Sequence, residues 1–238
     1  MRGIPRPRRW ALALGFGLVV AVAPLVAAAA SLGGIYYADL FAWSSLTTVP
    51  IPTPVAEDDF DCRGALDGQT DSLGNVWTDH GGNWRCIGGS EVRAGRRVSP
   101  AHATVDVGGS DGVYVTVNLT RIVNRRNSGG PGVSLLSNGA SHFFVIYERS
   151  AGQITLGKWD GSGRSVLATA SISDRATAQI RVEVTLPQIT VIVDGVTVLT
   201  YTMSSGEVSA FGSNTRFGLE TDRDNWSRFD YFLVEVDQ

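Results

Sequence analysis

The 238-residue chain has 43% hydrophobic and 18% charged residues with 28 glycines, too apolar for disorder and without a collagen period. Its net charge is −3, and from residue 57 onward 16 basic side chains stand against 22 acidic ones. An acidic fold of this kind excludes nucleic acid as the natural partner, because phosphate binding wants a basic surface.

Met1–Arg9 is basic and is followed by an apolar run from Trp10 to Ala30, the layout of an export segment. Two readings stand open. Ala28-Ala29-Ala30 before Ser31 offers the small residues that a signal peptidase needs. Equally, the 20 residues from Ala11 to Ala30 match the roughly 20 that span a bilayer as a helix, with Tyr36, Tyr37 and Trp43 as interfacial aromatics. Residues 1–30 are therefore expected to be a signal peptide or a membrane anchor. Either way the rest of the chain is extracytoplasmic, secreted or held at the cell surface, and a retained segment makes the membrane a partner.

Residues 31–56 are apolar and then rich in Pro and Thr, with prolines at 50, 52 and 54. Alternating proline favours an extended polyproline stalk over a folded element. The folded part is expected at 57–238, about 180 residues and enough for a substantial core.

From Asp58 onward no stretch has helical period, and period two recurs. In Val113–Leu119 the apolar side chains fall on odd positions, and Ile180, Val182, Val184 and Leu186 alternate with Gln179, Arg181, Glu183 and Thr185. Such strands lay one face on a core. Asp194-Gly195 joins Ile189–Val193 to Val196–Tyr201 as a tight hairpin, and Asp160-Gly161-Ser162-Gly163 separates two further strands. About a dozen strands at this spacing predict an all-β fold of two packed antiparallel sheets behind an N-terminal hydrophobic segment.

Cys62 and Cys86 are the two cysteines. In an exported domain an even count favours a disulfide, which would tie a first strand, Asp59–Cys62, to a strand at Trp84–Ile87. Two separate thiols are the alternative; the spacing fits no zinc pattern.

Several short motifs bear a family likeness. Asp58-Asp59-Phe60, Leu66, Gly74, Trp77, Gly82, Trp84 and Gly88-Gly89 resemble the opening strands of concanavalin A-like, laminin G-like jelly rolls. Val191-Ile192-Val193-Asp194-Gly195 is similar to the V-x-V-D-G hairpin of that superfamily. Arg228–Val234 resembles its closing strand, including the D-Y-V-R-V ending of family 16 glycoside hydrolases. The resemblance spans residues 58–236. It implies a jelly-roll sandwich of six or seven strands per sheet, with glycan binding on the concave face. It implies no single function, since the superfamily holds lectins, glycosidases, adhesion modules and virion proteins.

Family 16 catalysis requires Glu-x-Asp-x-x-Glu, with alternation aiming all three side chains into the cleft. Glu57-Asp58-Asp59, Glu220-Thr221-Asp222 and Glu235-Val236-Asp237 each start that pattern, and none supplies the second glutamate. Gly108-Gly109-Ser110-Asp111-Gly112 matches the nucleophile-elbow pattern, but strand-like residues on both sides predict a hairpin turn. His80, His102 and His142 are scattered without metal-ligand spacing, and each reads as an exposed residue beside a strand.

The resemblance also implies a structural calcium at the closing-strand aspartate, Asp230, with Asp59 or Asp58 contributing oxygen. Sugar rings stack on aromatic platforms. With Trp77 and Trp84 matching core positions, Trp159 and Trp226 become the candidate ligand-binding residues. Arg96-Arg97 and Arg125-Arg126 read as solubilising pairs, and Asn118 and Asn225 begin formal glycosylation sequons. The leading expectation is a non-catalytic module that binds a glycan or another surface component. A divergent glycoside hydrolase, marked by cleft carboxylates about 5–10 Å apart, and a structural subunit of a surface filament are the alternatives.

Overall fold

The alternation at residues 113–119 becomes an alternation of faces: Val113, Val115, Val117 and Leu119 are buried in the core, while Tyr114 and Asn118 turn the other way. The computed structural model describes residues 51–123, 129–224 and 226–237. The leader, Arg125-Arg126 and Asn225 lie outside the described residues.

Among these residues the first strands are β1 (Thr53–Asp58), β2 (Gly64–Ala65), β3 (Thr78–His80), β4 (Arg85–Cys86) and β5 (Val92–Arg93). Longer ones follow: β6 (Ala101–Asp106), β7 (Val113–Arg121), β8 (Gly130–Ser137), β9 (His142–Glu148), β10 (Gln153–Trp159) and β11 (Arg164–Ser171). The chain closes with β12 (Ala178–Thr185), β13 (Gln188–Val193), β14 (Val196–Thr202), the helix α1 (Ser205–Phe211), β15 (Arg216–Asp222) and β16 (Arg228–Val236).

All strand pairs between these elements are antiparallel. The larger sheet runs β14-β13-β12-β7-β16-β5-β4-β2 with β1 beside β16, and the smaller runs β11-β10-β9-β8-β15-β6-β3. The core lies between them. Trp77 lies tilted against Phe232 with ring centroids 4.9 Å apart and Trp84 against Phe229 at 5.7 Å, so the opening motif packs on the closing strand. The Trp77 indole N–H donates to Asp58 Oδ2 at 2.7 Å. Burial pushes the Asp58 carboxyl up, against the opposing pull of that bond and of the Phe60 N–H. Gly82 is required here, since a Cβ would stand 2.3 Å from Trp84 Nε1.

The Asp194-Gly195 turn has φ of 48° and 80°, the positive pair a tight hairpin needs, and joins Val193 to Val196 in register. The disulfide between Cys62 and Cys86 is formed, with a Cα separation of 5.6 Å.

Four local expectations change. β1 begins at Thr53, so it takes in residues 53–56 of the expected stalk; a proline-bearing strand is tolerated because β1 pairs with β16 alone and Pro54 is exposed beside a register shift. The expected first strand at Asp59–Cys62 is instead a turn, with Phe60 at φ 54°, and Cys62 lies between β1 and β2. The short helix α1 interrupts the all-strand reading. Seven residues are too few to show a period, but Ser204 and Glu207 form a capping box that marks its start. Finally, Gly108–Gly112 is no hairpin: β6 belongs to the smaller sheet and β7 to the larger, so this turn carries the chain between layers.

Candidate functional site

The smaller sheet has a second face. Phe143, Val145 and Tyr147 of β9 point into the core, so His142, Phe144, Ile146 and Glu148 point outward. On β15 the core takes Phe217 and Leu219, leaving Gly218, Glu220 and Asp222 outward. Register then aligns the row. Trp159 pairs with His142 and with Arg164, and Glu220 pairs with His102 and with Gly132.

A narrow half-open cleft of about 10 Å³ lies on this outward face, between Trp159, Phe144 and Ile146 on one side and Glu220 and Asp222 on the other. Ser99 and Pro100 form its rim. Arg164 organises it. Its guanidinium lies 4.7 Å over the Phe144 ring, pairs through Nη1 with Asp222, and reaches Glu148 Oε1 through Nη2 at 3.1 Å. Gly157 permits this stack, because a Cβ there would meet Phe144 Cζ at 2.3 Å. One oxygen of Asp222, Oδ1, is buried without a hydrogen-bond partner among the described residues. The cleft thus offers an aromatic wall and a fixed cation.

Beside the cleft stand the three histidines, which the structure brings together; the reading of them as scattered and exposed is overturned. His80 stacks on His102 at 4.5 Å, and His102 meets His142 at 4.2 Å. Strands β6 and β9 are three steps apart in the sheet, about 14 Å at ordinary strand spacing. The rings meet because the two strands between them carry Gly132, Ser134 and Gly218 on this face, which leaves a hollow for side chains from both flanks.

His142 Nε2 stands 3.1 Å from Glu220 Oε2, at ion-pair distance. Burial, with the charges of His142 and His80 adding, pushes His102 down to about 2. Burial pushes the Glu220 carboxyl up, and His142 and Arg164 oppose it. Among the described residues, His102, His142 and Glu220 are the group of three or more histidine, cysteine or acidic side chains whose ligand atoms converge, all within 4.8 Å of one another.

The other expected site residues are dispersed. Trp226 is exposed and lies near the Arg93 guanidinium, at 6.0 Å, and does not line the cleft that Trp159 lines. Asp230 lines a groove on the larger sheet with Asn118, Thr120 and Gln179, and burial pushes its carboxyl up. Asp59 is exposed and accepts from the Asp61 N–H at 3.3 Å. Neither aspartate belongs to the converging group. Arg97 is more than a solubilising residue, since its Nε donates to the Arg223 carbonyl at 2.8 Å.

No protein-family model matches the chain, and no curated protein matches it in sequence. Solved structures do match. The carbohydrate-binding module CBM66 from Bacillus subtilis superposes with a TM-score of 0.53 at 15% identity, covering 72% of this chain and 97% of that one. A structure reported with endo-acting O-glycanases of the human gut microbiota that initiate mucin breakdown gives 0.55 at 13% identity, over 78% and 100%. The galectin LEC-6 of Caenorhabditis elegans gives 0.43 at 11%, over 61% and 95%. At these identities the likeness is one of fold: the chain is a two-sheet antiparallel sandwich like that of the carbohydrate-binding module.

Proposed function

We propose that the folded part of the chain is an exported, surface-displayed or secreted carbohydrate-binding module that takes its ligand at the cleft of Trp159. The observation that carries this reading is the pairing of a half-buried indole with Arg164, held by two carboxylates over the Phe144 ring. An indole covers the apolar face of a sugar ring, and a guanidinium fork suits its hydroxyls. The cleft itself has room for only about 10 Å³, so a sugar ring would lie across its mouth against the Trp159 indole rather than inside it. The disulfide is in keeping with an oxidising compartment.

The test is a polysaccharide pull-down with the purified chain, in calcium and in chelator. Retention on a specific glycan, lowered by Trp159→Ala or Arg164→Ala and unchanged by Trp226→Ala, supports the cleft. No retention on any glycan in either buffer overturns the reading. Calcium at Asp230 is a separate proposal, resting on the buried Asp230 Oδ1 that lacks a partner. It predicts a calcium-dependent rise in Tm that Asp230→Asn removes.

One observation favours a hydrolase as the second reading. Glu220 and Asp222 share the outward face of β15, two residues apart, and both line the Trp159 cleft. Release of reducing ends from a retained glycan, lost in Glu220→Gln, would favour catalysis. Retention without release favours the module.

A further inference from the structure

We propose that His102, His142 and Glu220 form a site for one divalent transition-metal ion of the zinc class. The residues come from three strands, β6, β9 and β15, and their ligand atoms lie within 4.8 Å of one another. In a tetrahedral shell with metal–nitrogen bonds of about 2.0–2.1 Å, neighbouring ligand atoms are about 3.3 Å apart. His142 Nε2 and Glu220 Oε2, at 3.1 Å, already stand at that spacing. The remaining ligand-atom separations, up to 4.8 Å, would have to shorten on binding.

The hydrogen-bond inventory points the same way. His102 is 2% exposed, His142 is 0% and Glu220 is 2%. Both nitrogens of each imidazole and Oε2 of Glu220 lack a hydrogen-bond partner among the described residues. Leaving one such group unpaired in the interior costs about 1–3 kcal/mol, so native folds rarely do it. Here one ligand atom from each of the three residues converges, and His142 Nε2 and Glu220 Oε2 already face each other at 3.1 Å. Ring packing between His102 and His142 satisfies none of them, whereas a shared cation satisfies one lone pair on each residue.

The donor set then selects the ion. Two imidazoles and one carboxylate suit zinc and its neighbours, whereas calcium and magnesium call for an all-oxygen shell. Three protein ligands leave a fourth position for water or a ligand atom. Because Glu220 also borders the Trp159 cleft, a bound ion would fix one wall of it. The site stands whether or not a glycan binds at the cleft.

The experiment uses the full chain without a histidine tag, stripped with chelator and then equilibrated with zinc or cobalt(II) alone. The expected result is one zinc retained per chain after desalting, a higher Tm than the stripped chain, and the visible absorption bands of tetrahedral cobalt. His102→Gln and His142→Gln should each abolish the retained ion, while excess calcium should leave it in place. Retention of less than one zinc by the wild-type chain, or equal retention by both variants, overturns the proposal. The wild-type cobalt spectrum decides even if the variants fail to fold. An octahedral, all-oxygen spectrum, or displacement by calcium, sinks the imidazole site.

Discussion

Lys158 Nζ donates to Glu207 Oε1 at 2.8 Å and thereby pins the start of α1 to β10 of the smaller sheet. This is the single lysine of the chain, and its partner is a buried carboxylate. The other oxygen, Glu207 Oε2, accepts from the Ser204 N–H at 2.9 Å and the Tyr201 hydroxyl at 2.8 Å. Burial by itself would raise this carboxyl. Lys158, the Ser204 backbone and Tyr201 outweigh it and hold the group at about 2, against an ordinary 4.5.

A carboxylate depressed on folding contributes stability that is complete above its unfolded value and is lost as pH falls through the folded one. The difference in unfolding free energy between wild type and Glu207→Gln should therefore be full at pH 7 and shrink from pH 4.5 toward pH 2. Its size at pH 7 is expected to be on the order of 1–3 kcal/mol. Lys158→Met should cost less, about 1 kcal/mol, because the ammonium is partly exposed. Denaturant titrations across this pH range check both. A difference that does not change with pH would refute the assignment.

Arg164 is a case in which lysine is no substitute. Its fork reaches Asp222 and Glu148 at once while lying flat on Phe144, and an ammonium can do neither. Arg164→Lys should lower stability by about 1–2 kcal/mol and reduce glycan retention about tenfold. Urea midpoints and binding isotherms measured on the same preparation separate the two effects. An unchanged isotherm would remove Arg164 from the ligand site.

Gly157 leaves room for the Phe144 ring that lines the cleft. A methyl group there would lie 2.3 Å from Phe144 Cζ and 2.5 Å from the Ser165 carbonyl oxygen, and the latter is backbone that cannot swing aside. Gly157→Ala is expected to cost about 2 kcal/mol or more through overpacking. It should also perturb Phe144 and with it the stacked guanidinium. Thermal unfolding reads the first effect and glycan retention the second; an unaltered Tm would mean the strand relaxes around the methyl.

The disulfide closes a loop between residues 24 apart in sequence. Replacing both cysteines by serine should cost about 3 kcal/mol, chiefly by releasing the unfolded chain. The loop it closes carries Trp77, so the change should also loosen packing against Phe232. Equal stability of the double variant and wild type in denaturant would contradict this.

Alternation of side chains on a strand is a local property, so the sequence alone determined the long strands, such as the one through residues 113–119, and the Asp194-Gly195 hairpin. The burial of Trp77 and Trp84 followed from the resemblance, and the segments at 53–56 and 59–62 were misplaced. The sequence also held the clue to the faces. Ala101-His102-Ala103 places His102 opposite two core alanines, and Ser204 with Glu207 announces α1. What it could not contain was register between strands far apart in the chain. His102 faces Glu220 across a ladder, and His142 arrives from a strand three positions away over Gly132, Ser134 and Gly218. Likewise Arg164 reaches Asp222 only because β11 and β15 lie in the same curved sheet. Local patterning decides which side of a strand a residue occupies, whereas the order of strands and the hollow left by small residues decide which side chains meet. The cleft and the histidine cluster belong to that second level, and only the tertiary structure brought them into view.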